Sequence, residues 1–291
     1  MNEKPTVPPS VGERPDPAGY PEIHPPVRPR TDGKPAQTLV FLHGGNVANW
    51  MWDPQVKAFP AYRIFTPHLP GFGGRADEDW RGLDSAADDV AAFIAEEIED
   101  GRVHLVGQSL GGVVGLRVLA RHPELFASAL FTGAGIRPVG AGTRLSTAAQ
   151  LRLGDAEWFW KVQAGAFGIP ANSRRLYSEH GLTLRPDNMK AMLDEVQAGG
   201  LPDGLGDYTE RLMMVAGARE PALVRKGFAD VAAVRRDTVF RLAPGLHHQW
   251  SVEDPLFFNA MVRAWIERGE VHPRLGRVPG LHQADPDPAG D

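Results

Sequence analysis

Short apolar runs alternate with longer amphipathic segments through the middle of the chain. Runs rich in Val, Leu, Ile, Phe and Met predict buried strands at 38–42, 62–66, 103–106, 127–132, 211–217 and 237–242. Between them, apolar residues recur every three or four positions, as at Ala86, Val90, Ile94 and Ile98, which predicts helices. This alternation predicts an α/β fold, with a mostly parallel central sheet covered by helices on both faces.

The alternation stops between residues 139 and 205, where no strand pattern is evident. Helical patterns lie there at about 145–166, 171–180 and 186–198. A helical block inserted at the carboxyl edge of a sheet predicts a cap over the site. The core is therefore assigned to 37–138 and 206–270, with 139–205 as the cap.

Proline dominates both ends of the chain. Residues 1–36 contain Pro8-Pro9 and Pro25-Pro26 among many others, and 271–291 contain four more prolines. Because proline donates no backbone hydrogen bond, we expect an extended N-terminal arm at 1–36 and a flexible tail at 271–291.

Composition excludes several classes of function. A chain of 291 residues that is 42% hydrophobic can bury a complete α/β core. The net charge of −5 is spread along the chain, which argues against a nucleic-acid partner. The absence of cysteine excludes disulfides, thiolate metal sites and cysteine nucleophiles. The N-terminus lacks the apolar segment of a signal peptide and no apolar run reaches membrane-spanning length, so we expect a cytoplasmic protein with no membrane span.

A G-x-S-x-G motif, Gly107-Gln108-Ser109-Leu110-Gly111, lies between the third predicted strand and a helix. In this context the motif predicts a nucleophile elbow, with Ser109 as the nucleophile and the Leu110 N–H directed at an oxyanion. An ordinary glycine-rich turn is the alternative. A dinucleotide loop requires G-x-G-x-x-G, which these glycines do not match.

The first predicted core strand ends in His43-Gly44-Gly45-Asn46. Strands of an open α/β sheet present their carboxyl ends to the ligand. The Gly45 N–H is therefore a candidate second donor to an oxyanion, and Asn46 a candidate pocket residue. We expect His43 to have a structural role.

A serine nucleophile requires a base, and the base requires an orienting carboxylate. Among the later strand ends, histidine occurs at His247 and His248, and Glu220 supplies a carboxylate on the preceding loop. The chain order is serine, acid, histidine.

These motifs, with Leu69-Pro70-Gly71-Phe72-Gly73, resemble the α/β-hydrolase fold superfamily over about residues 38–268. The resemblance implies a catalytic triad of Ser109, Glu220 and His248. The family more often has Asp at the position of Glu220, and Asp203 and Asp207 are alternative acids. Glu220 could also be a solvated carboxylate paired with Arg219. The proline-rich arm stands where the family usually has an antiparallel hairpin.

We therefore predict a cofactor-free, metal-free serine hydrolase whose partner is a small-molecule substrate. The expected substrate is a small, apolar carboxylic ester, thioester or lactone. Candidate pocket residues are Asn46, Gln108, Trp158 and His247. The alternatives are a lyase, a cofactor-free perhydrolase or haloperoxidase, and a small-molecule receptor with an inert triad. The sequence predicts no oligomeric state.

Overall fold

A computed structural model describes residues 19–98, 101–169, 171 and 173–281. The first half of the predicted N-terminal arm, at 1–18, and the last part of the predicted tail, at 282–291, lie outside the described residues.

The core of the fold is an eight-stranded sheet with the order β1-β3-β2-β4-β5-β6-β7-β8. Neighbouring strands from β3 to β7 in this order run parallel, and the two edge strands pair antiparallel. This arrangement confirms the predicted fold class. The strands are β1 Ile23–His24, β2 Thr38–Leu42, β3 Arg63–Phe65, β4 Val103–Gln108, β5 Phe126–Thr132, β6 Arg211–Gly217, β7 Val239–Ala243 and β8 Gly276–Arg277.

Helices flank this sheet, and those of the core bury apolar stripes. The final helix begins at Pro255, because Asp254 Oδ1 accepts a hydrogen bond from the Phe257 N–H at 3.0 Å and proline suits the first helical position. The described helices are α1 Asp53–Ala58, α2 Leu83–Glu97, α3 Leu110–Arg121, α4 Ala141–Leu151, α5 Glu157–Ala166, α6 Arg174–Gly181, α7 Pro186–Ala198, α8 Ala222–Val234, α9 Trp250–Glu253 and α10 Pro255–Arg268. Within the described ranges, no helix is both long and apolar enough to cross a bilayer.

Helices α4 to α7 lie between β5 and β6, in the segment from which the cap was predicted. One difference is that the helix expected over 145–166 is two helices, α4 and α5. A turn at Gly154 separates them, and the Gly154 carbonyl accepts a hydrogen bond from Trp160 Nε1 at 2.7 Å. The indole thus takes an acceptor that a continuous helix would have used.

Helix α7 is joined to the core by side chains that reach the loop before α2. Asn188 accepts a hydrogen bond from the Trp80 N–H at 2.9 Å and donates to the Glu78 carbonyl at 2.7 Å. The Glu195 carboxylate accepts from the Leu83 N–H at 3.0 Å. Glu195 therefore caps α2 from another element.

The residues Ser85-Ala86-Ala87-Asp88 match a capping box, which predicts a helix capped by Ser85, and this prediction is wrong. Helix α2 begins at Leu83, so Ser85 already lies within its first turn. The physical reason is tertiary: the Glu195 carboxylate satisfies the N–H of Leu83, so the helix extends two residues before Ser85.

Both sheet edges recruit residues from segments that the sequence assigned to the arm and the tail. Ile23 pairs with Phe65 at one edge, and Gly276 pairs with Leu242 at the other. Each of these strands is only two residues long, too short to leave an alternating pattern in the sequence.

Candidate active site

Ser109 lies at the sharp turn between β4 and α3. Its φ of 54° and ψ of −114° fall outside the regions that non-glycine residues usually adopt. Its N–H donates to the Thr132 carbonyl at 2.8 Å, and its carbonyl accepts from the Gly112 N–H at 2.9 Å. The backbone of the turn is thus held on both sides.

The turn tolerates no side chain at its two flanking glycines. A Cβ at Gly107 would lie 2.4 Å from the Gly111 carbonyl oxygen. A Cβ at Gly111 would lie 2.2 Å from the Leu42 carbonyl oxygen in β2. The G-x-S-x-G spacing therefore follows from the close approach of strand, helix and neighbouring strand.

The residues that carry the two candidate oxyanion donors, Gly45 and Leu110, lie next to each other beside Ser109. A Cβ placed on Gly44 would be 3.5 Å from Ser109 Cβ, and one on Gly45 would be 4.0 Å from Leu110 Cβ. Leu110 is the first residue of α3, so its N–H is among those that have no acceptor within the helix. Such a pair of N–H groups is suited to binding negative charge.

His248 and Glu220 meet at the carboxyl ends of β6 and β7. His248 Nδ1 lies 3.3 Å from Glu220 Oε2, and the Glu220 side chain is completely buried. The other carboxylate oxygen, Oε1, accepts from the Gly217 N–H at 2.9 Å. A carboxylate fixed in this way can hold one tautomer and one orientation of the imidazole.

This geometry argues against a solvated Glu220 and against Asp203 or Asp207 as the partner of His248. Glu220 is buried, which is incompatible with a solvated carboxylate paired to Arg219. Asp203 and Asp207 are both exposed and precede the amino end of β6, whereas His248 follows the carboxyl end of β7.

Gln108, the residue before Ser109, is fully buried. It contacts the loop after β7 that carries His248, here called the histidine loop. Its Nε2 donates to the His248 carbonyl at 3.0 Å and to Gln249 Oε1 at 2.5 Å. Its Oε1 accepts from Ser251 Oγ at 2.5 Å. The Gln108 side chain thus connects the residue before Ser109 to the loop that carries His248.

Two adjoining cavities extend from Ser109 into the inserted helices α4 to α7. The inner cavity, about 130 Å³, is lined by both Ser109 and His248 together with Gly45 and Leu110. The outer cavity, about 180 Å³, lies among α4, α5 and α7. They share the lining residues Asn46, Phe167 and Leu193. Among the described residues, His, Asp and Glu form no group of three or more that could hold a metal ion.

Residues 39–261, most of the chain, match the sequence model of the alpha/beta hydrolase family. The chain belongs to the alpha/beta hydrolase family. This membership confirms the resemblance drawn from the motifs.

This alpha/beta hydrolase is similar to several known proteins. It is 24% identical over 244 residues to an AB hydrolase superfamily protein of Gibberella zeae, covering 81% of this chain and 82% of that protein. It is 38% identical over 89 residues to the pimeloyl-[acyl-carrier protein] methyl ester esterase of Aeromonas hydrophila, covering 30% and 33% of the two chains. The structure of a thermophilic esterase from Thermogutta terrifontis has a TM-score of 0.65 at 16% identity and covers 80% of this chain and 90% of that one. That structural likeness shows the fold.

Of the four pocket residues predicted for this hydrolase, Asn46 lines both cavities. Trp158 is 59% exposed and lies outside both linings. Its neighbours Phe159 and Trp160 line the outer cavity instead. The periodicity of α5 provides the reason, because Trp160, Gln163 and Phe167 share one helical face that excludes Trp158.

Gln108 and His247 also lie outside the two cavity linings. The Gln108 side chain makes its hydrogen bonds to His248, Gln249 and Ser251. His247 donates its backbone N–H to Glu253 Oε2 at 2.9 Å, and its Nδ1 lies 2.9 Å from Glu253 Oε1. His247 therefore holds the loop that carries His248.

His43 has the structural environment that the sequence suggested. It is fully buried, and its Nε2 accepts a hydrogen bond from the Leu69 N–H at 3.1 Å. Burial lowers the pKa of His43 to about 3. The ring is therefore neutral and joins the strand end before Gly44 to the Leu69-Pro70-Gly71 loop.

Sequence reasoning missed Gln163 and Tyr177, which line the outer and inner cavities respectively. Gln163 could have been found from the face of α5 that it shares with Trp160. Tyr177 gave no such signal, because its helix α6 is short and strongly polar in sequence.

Proposed function

We propose that this protein is a serine hydrolase that cleaves small, uncharged and largely apolar carboxylic esters, thioesters or lactones. The observation that carries the proposal is the contact of His248 Nδ1 with the buried Glu220 carboxylate. The same histidine lines one cavity together with Ser109. This combination matches the requirements of an activated serine nucleophile.

In the proposed reaction, Ser109 Oγ attacks the acyl carbon while His248 Nε2 accepts the hydroxyl proton. The N–H groups of Gly45 and Leu110 bind the oxyanion. His248 then protonates the departing alkoxide or thiolate, which leaves an acyl group on Ser109. Water, deprotonated by His248, attacks the acyl carbon and releases the acid, and the proton returns to Ser109. Glu220 stabilises the imidazolium throughout.

The substrate class follows from the cavity walls. Phe159, Trp160, Phe167 and Leu193 line the outer cavity, and no Lys, Arg, Asp or Glu belongs to the described lining of either cavity. Burying a charged group without a partner would be costly, so the enclosed part of the substrate is uncharged. A cavity of about 150 Å³ can hold benzene. The outer cavity, at about 180 Å³, therefore accepts a group of about that size.

Turnover of p-nitrophenyl esters of increasing acyl length tests this proposal. We expect hydrolysis by the wild-type protein and its loss in Ser109→Ala and His248→Ala. A pre-steady-state burst of p-nitrophenol would indicate the acyl-enzyme. A folded wild-type protein that hydrolyses none of these esters, and forms no adduct on Ser109, would contradict the proposal and favour a lyase or a receptor with an inert triad.

A further inference from the structure

Three polar side chains meet where the inner and outer cavities join. Asn46 Nδ2 lies 3.4 Å from Gln163 Oε1, a long hydrogen bond. The same Gln163 oxygen accepts a hydrogen bond from the Tyr177 hydroxyl at 2.6 Å. Gln163 comes from α5 and Tyr177 from α6, whereas Asn46 follows the candidate oxyanion donor Gly45. The core and the cap thus contribute jointly to one polar cluster.

Asn46 is unusual within this cluster. Its φ of 62° is in the left-handed region, which only Ser109 shares among the described non-glycine residues. Its Oδ1 is buried and accepts no hydrogen bond from any described part of the chain. Buried acceptors without a partner are rare in folded proteins and destabilise them. An orphaned acceptor at a cavity wall points to a ligand that supplies the donor.

The rest of the site limits what this donor can be. Nδ2 of the same amide is directed to Gln163, so Oδ1 is the atom left to meet a ligand. The described lining of the two cavities is apolar apart from a few neutral polar groups and His248. A neutral donor, a hydroxyl or an amide N–H, fits this setting better than an ammonium group, which would be buried without a carboxylate partner.

We propose that Asn46 Oδ1 accepts a hydrogen bond from a hydroxyl or amide N–H on the substrate. This donor lies between the scissile carbonyl group beside Ser109 and an apolar group in the outer cavity. The inference rests on the proposed hydrolase function and narrows its substrates to esters with such a donor near the acyl carbon. Gln163 and Tyr177 hold the amide in the orientation that presents Oδ1.

The test compares p-nitrophenyl 4-phenylbutanoate with its 2-hydroxy and 3-hydroxy derivatives. For the wild-type protein we expect kcat/KM of at least one hydroxy ester to exceed that of the parent ester by about tenfold or more, because the parent leaves Oδ1 unpaired. In Asn46→Gly this ratio should fall close to one. Glycine is chosen because it removes the amide while adopting a positive φ without strain.

Leu193→Ala is the matched control. Leu193 lines both cavities but offers no polar atom. Its truncation should change kcat/KM of the hydroxy and parent esters by the same factor, so the ratio should be retained. Circular dichroism and thermal unfolding of both variants verify that they fold.

The inference is overturned if the wild-type ratio is close to one for both hydroxy esters. It is equally overturned if the ratio survives Asn46→Gly, or if Leu193→Ala abolishes it as completely. In each case, hydrolysis of the parent ester that depends on Ser109 would leave the proposed hydrolase function standing. Absence of all ester hydrolysis would instead remove both.

Discussion

At the scale of single residues, Glu220 is the candidate site residue that departs most from the pattern of the family. The family more often has aspartate at this position, and glutamate is one methylene longer. Here the Glu220 carboxylate accepts a hydrogen bond from the Gly217 N–H, three residues earlier, at 2.9 Å. This contact turns the carboxylate back toward its own strand, so that Oε2 meets His248 Nδ1 at 3.3 Å.

Glu220→Gln should lower kcat by roughly 10³- to 10⁴-fold, as removing the charge and the acceptor does in other triads. The amide would donate to Nδ1 and stabilise the wrong tautomer of His248. Ester turnover by the purified variant provides the measurement, and its urea unfolding curve is the control for stability. A loss of less than about tenfold would assign Glu220 a structural role.

We propose that Gln108 positions the loop that carries His248. Gln108→Met, which retains approximate shape but removes both hydrogen-bonding functions, should lower kcat roughly 10- to 100-fold with little change in KM, because the histidine loop would shift relative to Ser109. Gln55→Met is the matched control, since Gln55 is also fully buried and donates to the Ser251 carbonyl at 3.0 Å, one step further from His248. Equal losses of kcat in the two variants would contradict a positioning role for Gln108.

At the scale of elements, the sequence predicted best those segments whose burial is continuous. All six residues of β4 are buried, as are most of β2, β5 and β6, and a short, predominantly apolar run predicted each of them. Features set by distant partners were not predictable. The start of α2 depends on Glu195 in α7, and β8 consists of two residues paired with β7.

The candidate site divides in the same way. Ser109, His248 and Glu220 occur in local motifs at strand ends, so the sequence could propose them. The wall of the outer cavity depends on how α5 is rotated against the core, and the Trp158-Phe159-Trp160 run does not by itself decide which ring points inward. The structure places Trp160 inside, at 5% exposure.

This rotation of α5 predicts very different effects of two tryptophan substitutions on stability. Trp160→Ala should lower the free energy of unfolding by about 3–5 kcal/mol, because it removes a large buried side chain and its hydrogen bond to Gly154. Trp158→Ala should change it by less than about 0.5 kcal/mol. Urea unfolding monitored by circular dichroism measures both, and equal effects would contradict the assigned rotation.

At the scale of the whole molecule, several buried histidines link stability to pH. Burial lowers the pKa of His43 and of His180 to about 3, and that of His104 to about 4, from an ordinary value of 6.5. Below about pH 6.5 the unfolded chain takes up protons at these positions and the folded protein does not. The stability that they contribute is therefore complete above pH 6.5 and is lost as the pH falls toward 3 to 4.

We expect the free energy of unfolding to fall between about pH 6 and pH 4 with a slope of up to about 1.4 kcal/mol per pH unit for each histidine. Urea unfolding at several pH values measures the slope. His180→Leu should reduce the slope by one histidine's share. A slope that His180→Leu does not alter would contradict the conclusion that burial lowers the pKa of His180.

The central claim is that Ser109 is an activated nucleophile. Intact-mass spectrometry after treatment with a fluorophosphonate probe tests it most directly, because labelling requires the serine to be activated but does not require the natural substrate. We predict a single adduct on the wild-type protein that peptide mapping assigns to Ser109, and no adduct on folded Ser109→Ala or His248→Ala. An unlabelled wild-type protein, or a label that persists in Ser109→Ala, would contradict the claim.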